Sequence, residues 1–103
     1  MPNIKAIIFD EHSHFWSKDD AFNDRFLKTT RDYLMDLYNI RGYIYLNRIC
    51  DAFGVVFNPY NENLVWIKDR GDELVISYTN DTGDSKWYLY VEHRESTNKK
   101  IEV

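Results

Sequence analysis

At Gly54 the hydrophobic repeat of this 103-residue chain changes period, and no other feature restricts its fold as much. Upstream, apolar residues return every three or four positions; downstream, they alternate. The first repeat buries one stripe of a helix and the second buries one face of a strand. Helices followed by a run of antiparallel strands define an α+β domain.

The long helix is expected to take Ser17 as N-cap, with Asp20 three residues on as a shortened capping-box partner. Asp19, Asp20 and Asp24 fall in its first turns, where the helix dipole favours negative charge. Phe22, Phe26, Tyr33 and Leu37 share a face that Leu27, Leu34 and Tyr38 widen. The helix should end near Asn39 or Ile40, before Gly42. A short helix over residues 46–53 follows from Leu46, Ile49, Cys50 and Phe53 at i, i+3, i+4 and i+7. Gly54 suits the left-handed position after it. Cys50 lies inside the apolar stripe and reads as a buried, inert thiol.

Residues 4–9 read as an N-terminal strand, and 64–68, 73–79 and 86–92 as a three-stranded antiparallel meander. The turns are 58–63 (NPYNEN), 69–72 (DRGD) and 80–84 (NDTGD). Leu74, Ile76 and Tyr78 share one face, as do Trp87, Leu89 and Val91, which leaves Tyr88 and Tyr90 on the other. The fold class expected is therefore α+β: an N-terminal strand, one long and one short helix, packed on a three-stranded antiparallel meander. Residues 1–95 form the single domain and 96–103 a loose tail.

Three Trp, eight Tyr and six Phe supply large buried areas to a modest core and leave some for a contact surface. A net charge of −4 with interspersed signs suits a soluble domain and speaks against nucleic acid as partner. Asp10, Glu11, Asp19, Asp20 and Asp24 make the N-terminal third acidic, and Lys99 and Lys100 make the C-terminus basic; both read as solvated surface. A single cysteine excludes an intrachain disulfide and fits a reducing compartment. No apolar run reaches the roughly 18 residues of a membrane span, and the first residues lack signal-peptide organisation. A cytoplasmic location is expected.

The stretch IIFDEHSHFW, residues 7–16, places Asp10, His12 and His14 at alternate positions after a strand. In metal-dependent amidohydrolases this spacing aims the ligands into the mouth of a barrel. Such a barrel needs about 200 residues or more, which this chain lacks. A small zinc site from His12, His14 and His93 or Asp10 is the enzymatic alternative. Two histidines in a polar loop more often are plain loop residues, so no catalytic group, cofactor or metal is assigned. Helix, helix and hairpin in this order also suit a winged-helix DNA-binding domain. Its recognition stretch would be 57–66 (FNPYNENLVW), which carries Pro59 and no Arg or Lys to hold phosphates or read guanine.

Two blocks point elsewhere. The first contains Trp16, Ser17, Lys18, Asp19, Phe22, Asn23, Phe26 and Leu27; the second contains Arg41, Gly42, Tyr43, Ile44, Tyr45, Leu46, Asn47, Ile49, Asp51, Phe53 and Gly54. Their order and spacing, within residues 9–77, resemble an uncharacterised family of small bacteriophage and prophage proteins from Gram-positive bacteria. The resemblance implies a mobile-element origin and a bacterial host cytoplasm; it implies no activity. The family's basic stretch after the glycine is replaced here by VVFNPYN, and His12 and His14 lie outside its pattern. The matching residues have structural explanations: Trp16 as a staple onto the helix, Gly42 in the turn between helices, Asn47 as a local cap.

The expected function is that of a non-catalytic phage accessory protein that binds a host or phage protein. Inhibition of a host defence system such as CRISPR is its more specific form. Tyr88 and Tyr90 are the candidate contact patch, provided that neither the N-terminal strand nor the tail covers their face. No membrane contact is expected, and homo-oligomerisation is compatible with this reading.

Overall fold

The structure, a computed structural model, describes residues 3–55, 64–81 and 85–95. In chain order it contains β1 (Asn3–Phe9), α1 (Asp20–Arg41), β2 (Tyr43–Tyr45), α2 (Leu46–Phe53), β3 (Val65–Ile67), a 3₁₀ turn at Lys68–Arg70, β4 (Glu73–Asp81) and β5 (Lys86–Arg94). The α+β class, the N-terminal strand, the two helices and a three-stranded antiparallel sheet agree with the sequence. The turn at 58–63, most of the one at 80–84 and the tail 96–103 lie outside the described residues.

One member of the sheet differs from expectation. The strand order is β1-β5-β4, so β1 takes the third place beside β5. The meander expected from the sequence places residues 64–68 on the far side of β4, but β3 pairs antiparallel with β2, with Ile44 opposite Trp66. Tyr43-Ile44-Tyr45 is too short to show a readable period, so its strand was not foreseen. The same pairing affects the winged-helix reading: 57–63 lies outside the described residues, and Val65–Ile67 is a strand whose Trp66 is buried.

Helix α1 starts two residues later than expected. Asp19, not Ser17, is its N-cap, and its carboxylate accepts from the N–H groups of Ala21 and Phe22. Ser17 is held by Asn23, whose fully buried amide accepts from Ser17 N and donates to Ser17 O at 2.9 and 2.7 Å. The buried stripe is Asn23, Leu27, Leu34 and Tyr38, flanked by half-buried Phe26, Met35 and Leu37. Phe22 and Tyr33 are exposed, contrary to the periodicity argument. Gly42 ends the helix at φ +86.

Trp16 is half-buried and packs against the core. Its indole N–H donates 3.0 Å to Ser85 O, tying the loop after β1 to the start of β5. Phe15 packs on α1 with its ring 5.4 Å from Phe26, on which Phe9 also stacks. Helix α2 keeps its expected bounds and buried stripe. Its N-cap is Tyr45 without a side-chain cap, and Asn47 is exposed rather than capping; Leu46 N instead donates to Leu64 O at 2.8 Å. Gly54, at φ +72, closes the helix; a Cβ there would sit 2.5 Å from the Phe15 ring, so glycine is required twice over.

The core lies between the helices and the inner face of the large sheet. It gathers Phe9, Leu27, Leu34, Leu46, Ile49, Phe53, Leu74, Leu89 and Val91. Trp66 joins the small ribbon to that sheet: its indole N–H donates 3.2 Å to Glu92 O, and its ring lies 5.1 Å from His93.

Candidate interaction surfaces

The histidine motif is not gathered around one point. Strand β1 stops at Phe9, and a turn begins in which Ser13 N donates to Asp10 O at 2.7 Å and His12 N to the Asp10 carboxylate at 3.0 Å. Strand alternation therefore ends before it could align His12 with His14. His12, its side chain 81% exposed, lines a cleft of about 460 Å³ with Asp10, Glu11, Trp16, Ser85 and Lys86. His14 is anchored elsewhere, its N–H donating 2.8 Å to Gly54 O. His93 lies toward the far end of β5 from that cleft, opposite Asn3. Among the described residues no group of three or more His, Cys, Asp or Glu is placed to hold a metal ion. The cleft offers carboxylates, an imidazole and an ammonium group, but Glu11 and His12 are too exposed to be held as an acid–base pair.

Cys50 is buried in the α2 stripe. Burial, aided by the Asp51 charge, pushes its thiol up to about 12. Roughly one thiol in ten thousand is then ionised at pH 8. The native protein should therefore resist iodoacetamide at pH 8 and become alkylated only in denaturant. Alkylation of the folded protein at the rate of a free cysteine peptide would contradict this burial.

His93 belongs to a buried polar cluster that no sequence motif announced. Asp72, its side chain wholly buried, accepts from Arg70 Nε at 2.9 Å and Ile67 N at 3.0 Å. His93 Nε2 lies 3.3 Å from the same carboxylate oxygen and 3.1 Å from Val65 O. Both neighbours are acceptors, so Nε2 carries the hydrogen. Tyr38 Oη donates to Asp72 O at 2.6 Å. Burial would push the Asp72 carboxyl up, but the Arg70 and Ile67 hydrogen bonds and the His93 and Arg70 charges hold it below the ordinary aspartate value. This cluster fastens α1, β3, the turn that leads into β4, and β5 together and reads as a structural joint.

The face with Tyr88 and Tyr90 is the outer side of the large sheet. Strand registers align Ile4, Glu92 and Val75 in one row, Ala6, Tyr90 and Ser77 in the next, and Ile8, Tyr88 and Thr79 in the third. Strand β1 thus extends this face rather than covering it, and its Ile4 and Ile8 are 54% and 50% exposed. Tyr90 is exposed and Tyr88 half-buried. At one end the face is bordered by Arg94, which pairs with Glu92 at 3.1 Å and Glu73 at 3.5 Å. Reading strand by strand found the tyrosines; it missed Ile4 and Ile8 because the β1–β5 pairing spans the whole chain.

A second exposed surface lies at the C-terminal end of α1. Tyr33, Leu37 and Arg41 recur four residues apart on one side of the helix, with Ile40 beside them. Tyr43 and Tyr45 project outward from β2, their rings 6.1 Å apart edge to face, while Ile44 between them is buried. Arg48 of α2 donates 3.4 Å to Tyr33 Oη. Sequence reasoning assigned no function to these residues; the alternation Tyr-Ile-Tyr after Gly42 was the available signal.

Comparison of the chain with protein-family models, curated proteins and solved structures found no match. No helix among the described residues is long and apolar enough to cross a membrane.

Proposed function

We propose that this chain is a non-catalytic binding module that recognises another protein through the outer face of its three-stranded sheet. One observation carries the proposal: exposed Ile4, Ile8 and Tyr90 and half-buried Tyr88 share a single outer face with an ionic border at Arg94, Glu92 and Glu73. The solvated face of an antiparallel sheet is ordinarily polar. An apolar centre with a charged rim is the anatomy of a contact surface. The two sequence blocks that resemble phage and prophage proteins supply the setting, an accessory protein acting on a host or phage protein. Inhibition of a defence system such as CRISPR is one role of that kind.

The test pairs Tyr88→Ser/Tyr90→Ser with Ile8→Lys. Ile8→Lys should melt within a few degrees of the wild type, because exposed changes alter stability by about 0.5 kcal/mol or less. Tyr88→Ser/Tyr90→Ser, with Tyr88 half-buried on the central strand, should lose about 1–2 kcal/mol and remain folded by circular dichroism. Each should lose the proteins that the wild type retains from a lysate of a Gram-positive bacterium. Retention of the same proteins by both variants would remove this face from the account.

A further inference from the structure

We infer that the Arg41–Tyr43–Tyr45–Arg48 surface is a second binding site, and that it takes an acidic peptide segment carrying an apolar side chain. The site is built by three consecutive elements. The last turn of α1 presents Leu37 and Arg41, β2 presents Tyr43 and Tyr45, and the first turn of α2 presents Arg48. These five residues and the buried Ile44 line a hollow of about 230 Å³. A second hollow, of about 470 Å³, opens on the same tyrosines and is bordered by Arg41, Val65, Ile67 and Asp69. Ile40, 82% exposed, stands beside Arg41.

Charge selects the occupant. Neither Arg41 nor Arg48 forms an ion pair among the described residues, and Arg48 spends one N–H on Tyr33. Both border the smaller hollow, whose floor is apolar. Two guanidinium groups around an apolar floor favour carboxylates flanking a hydrophobic side chain. Arginine and tyrosine are also the residues on which contact energy concentrates. A long polyanion is disfavoured, because the chain carries a net charge of −4 and Asp69 borders the adjoining hollow. A nucleic acid needs an extended series of cations, and this surface places two at the hollow. The site is separate from the outer sheet face and stands on its own observations.

The experiment uses the full chain against immobilised twelve-residue peptides, each with one central Leu, Phe or Trp among either Asp and Glu or Lys residues. A 20-nucleotide single-stranded DNA is the third probe. Acidic peptides with a central apolar residue should bind, basic ones should not, and salt at 0.5 M should weaken binding by about tenfold or more, because exposed charges are then largely screened. Arg41→Gln and Arg48→Gln should each weaken it about tenfold, and the pair of changes should abolish it, with the melting temperature preserved. Tyr43→Ser/Tyr45→Ser should remove the preference for the central apolar residue. No acidic peptide binding, equal binding of acidic and basic peptides, or binding that survives both arginine changes would overturn the proposal. Binding of the DNA but not the acidic peptides would overturn it in favour of a nucleic-acid site.

Discussion

Replacing Asp72 with alanine should lower the stability of the fold by about 3 kcal/mol, which for a domain of this size is a fall in melting temperature of roughly 15 °C. The estimate follows from what is left behind. Arg70 is partly exposed and returns to water at little cost, whereas the Ile67 N–H loses its acceptor and His93 loses a charged neighbour. Asp72→Asn keeps an acceptor for Ile67 and should lose about half as much. The two variants also differ from the wild type in acid. The Asp72 carboxyl is held below its ordinary value in the folded state. Its contribution is therefore complete above the unfolded aspartate pKa of about 3.9 and is lost as the pH falls through the lower folded value. Urea titrations from pH 7 to pH 2 should show that loss in the wild type and its reduction in Asp72→Asn. Identical acid limbs in the two proteins would mean that Asp72 is not the titrating anchor.

Trp66→Ala should have the larger effect, about 3–5 kcal/mol. This side chain is completely buried, lies against His93 and bonds to the Glu92 carbonyl, so it supplies the apolar part of the joint between the small ribbon and β5, beside the polar contact of His93 with Val65 O. Trp66→Phe should cost only about 1–2 kcal/mol, because most of the apolar volume stays and one hydrogen bond goes. Circular dichroism in urea measures both, and hydrogen exchange should show β2 and β3 losing protection before β4 and β5 in the alanine variant. Equal loss of protection in both sheets would show that Trp66 is not a joint between them.

Helix α2 was legible to the residue because four apolar positions and Gly54 specify it locally. The inner and outer faces of β4 and β5 were legible for the same reason, since strand alternation needs no tertiary information. Partners were not. Whether the third strand of the sheet is 64–68 beside β4 or the N-terminal strand beside β5 is decided by packing across the chain; β1 takes its place with Ile7 and Phe9 buried and Phe9 stacked on Phe26 of α1. The long helix was legible along its length but not around it. Phe22 and Tyr33 fit the repeat, yet the stripe that meets the core passes through Asn23, a polar residue retained by its two bonds to Ser17. Of the candidate surfaces, Tyr88 and Tyr90 could be read from a strand, while Ile4 and Ile8 needed the register. The Asp72 cluster was hidden because DRGD looks like an ordinary turn and His93 follows 21 residues after Asp72. Asp10, His12 and His14 misled in the other direction, since their spacing has meaning only on a strand that continues through them.

The claim that the outer sheet face meets another protein is tested most directly by photo-cross-linking in bacteria that express the chain. Benzoylphenylalanine at position 90 samples the centre of that face, and at position 28 it samples an exposed position on α1 outside both surfaces. The account predicts one discrete heavier species from position 90 and none from position 28. No adduct at position 90, or the same adducts from both positions, would contradict it.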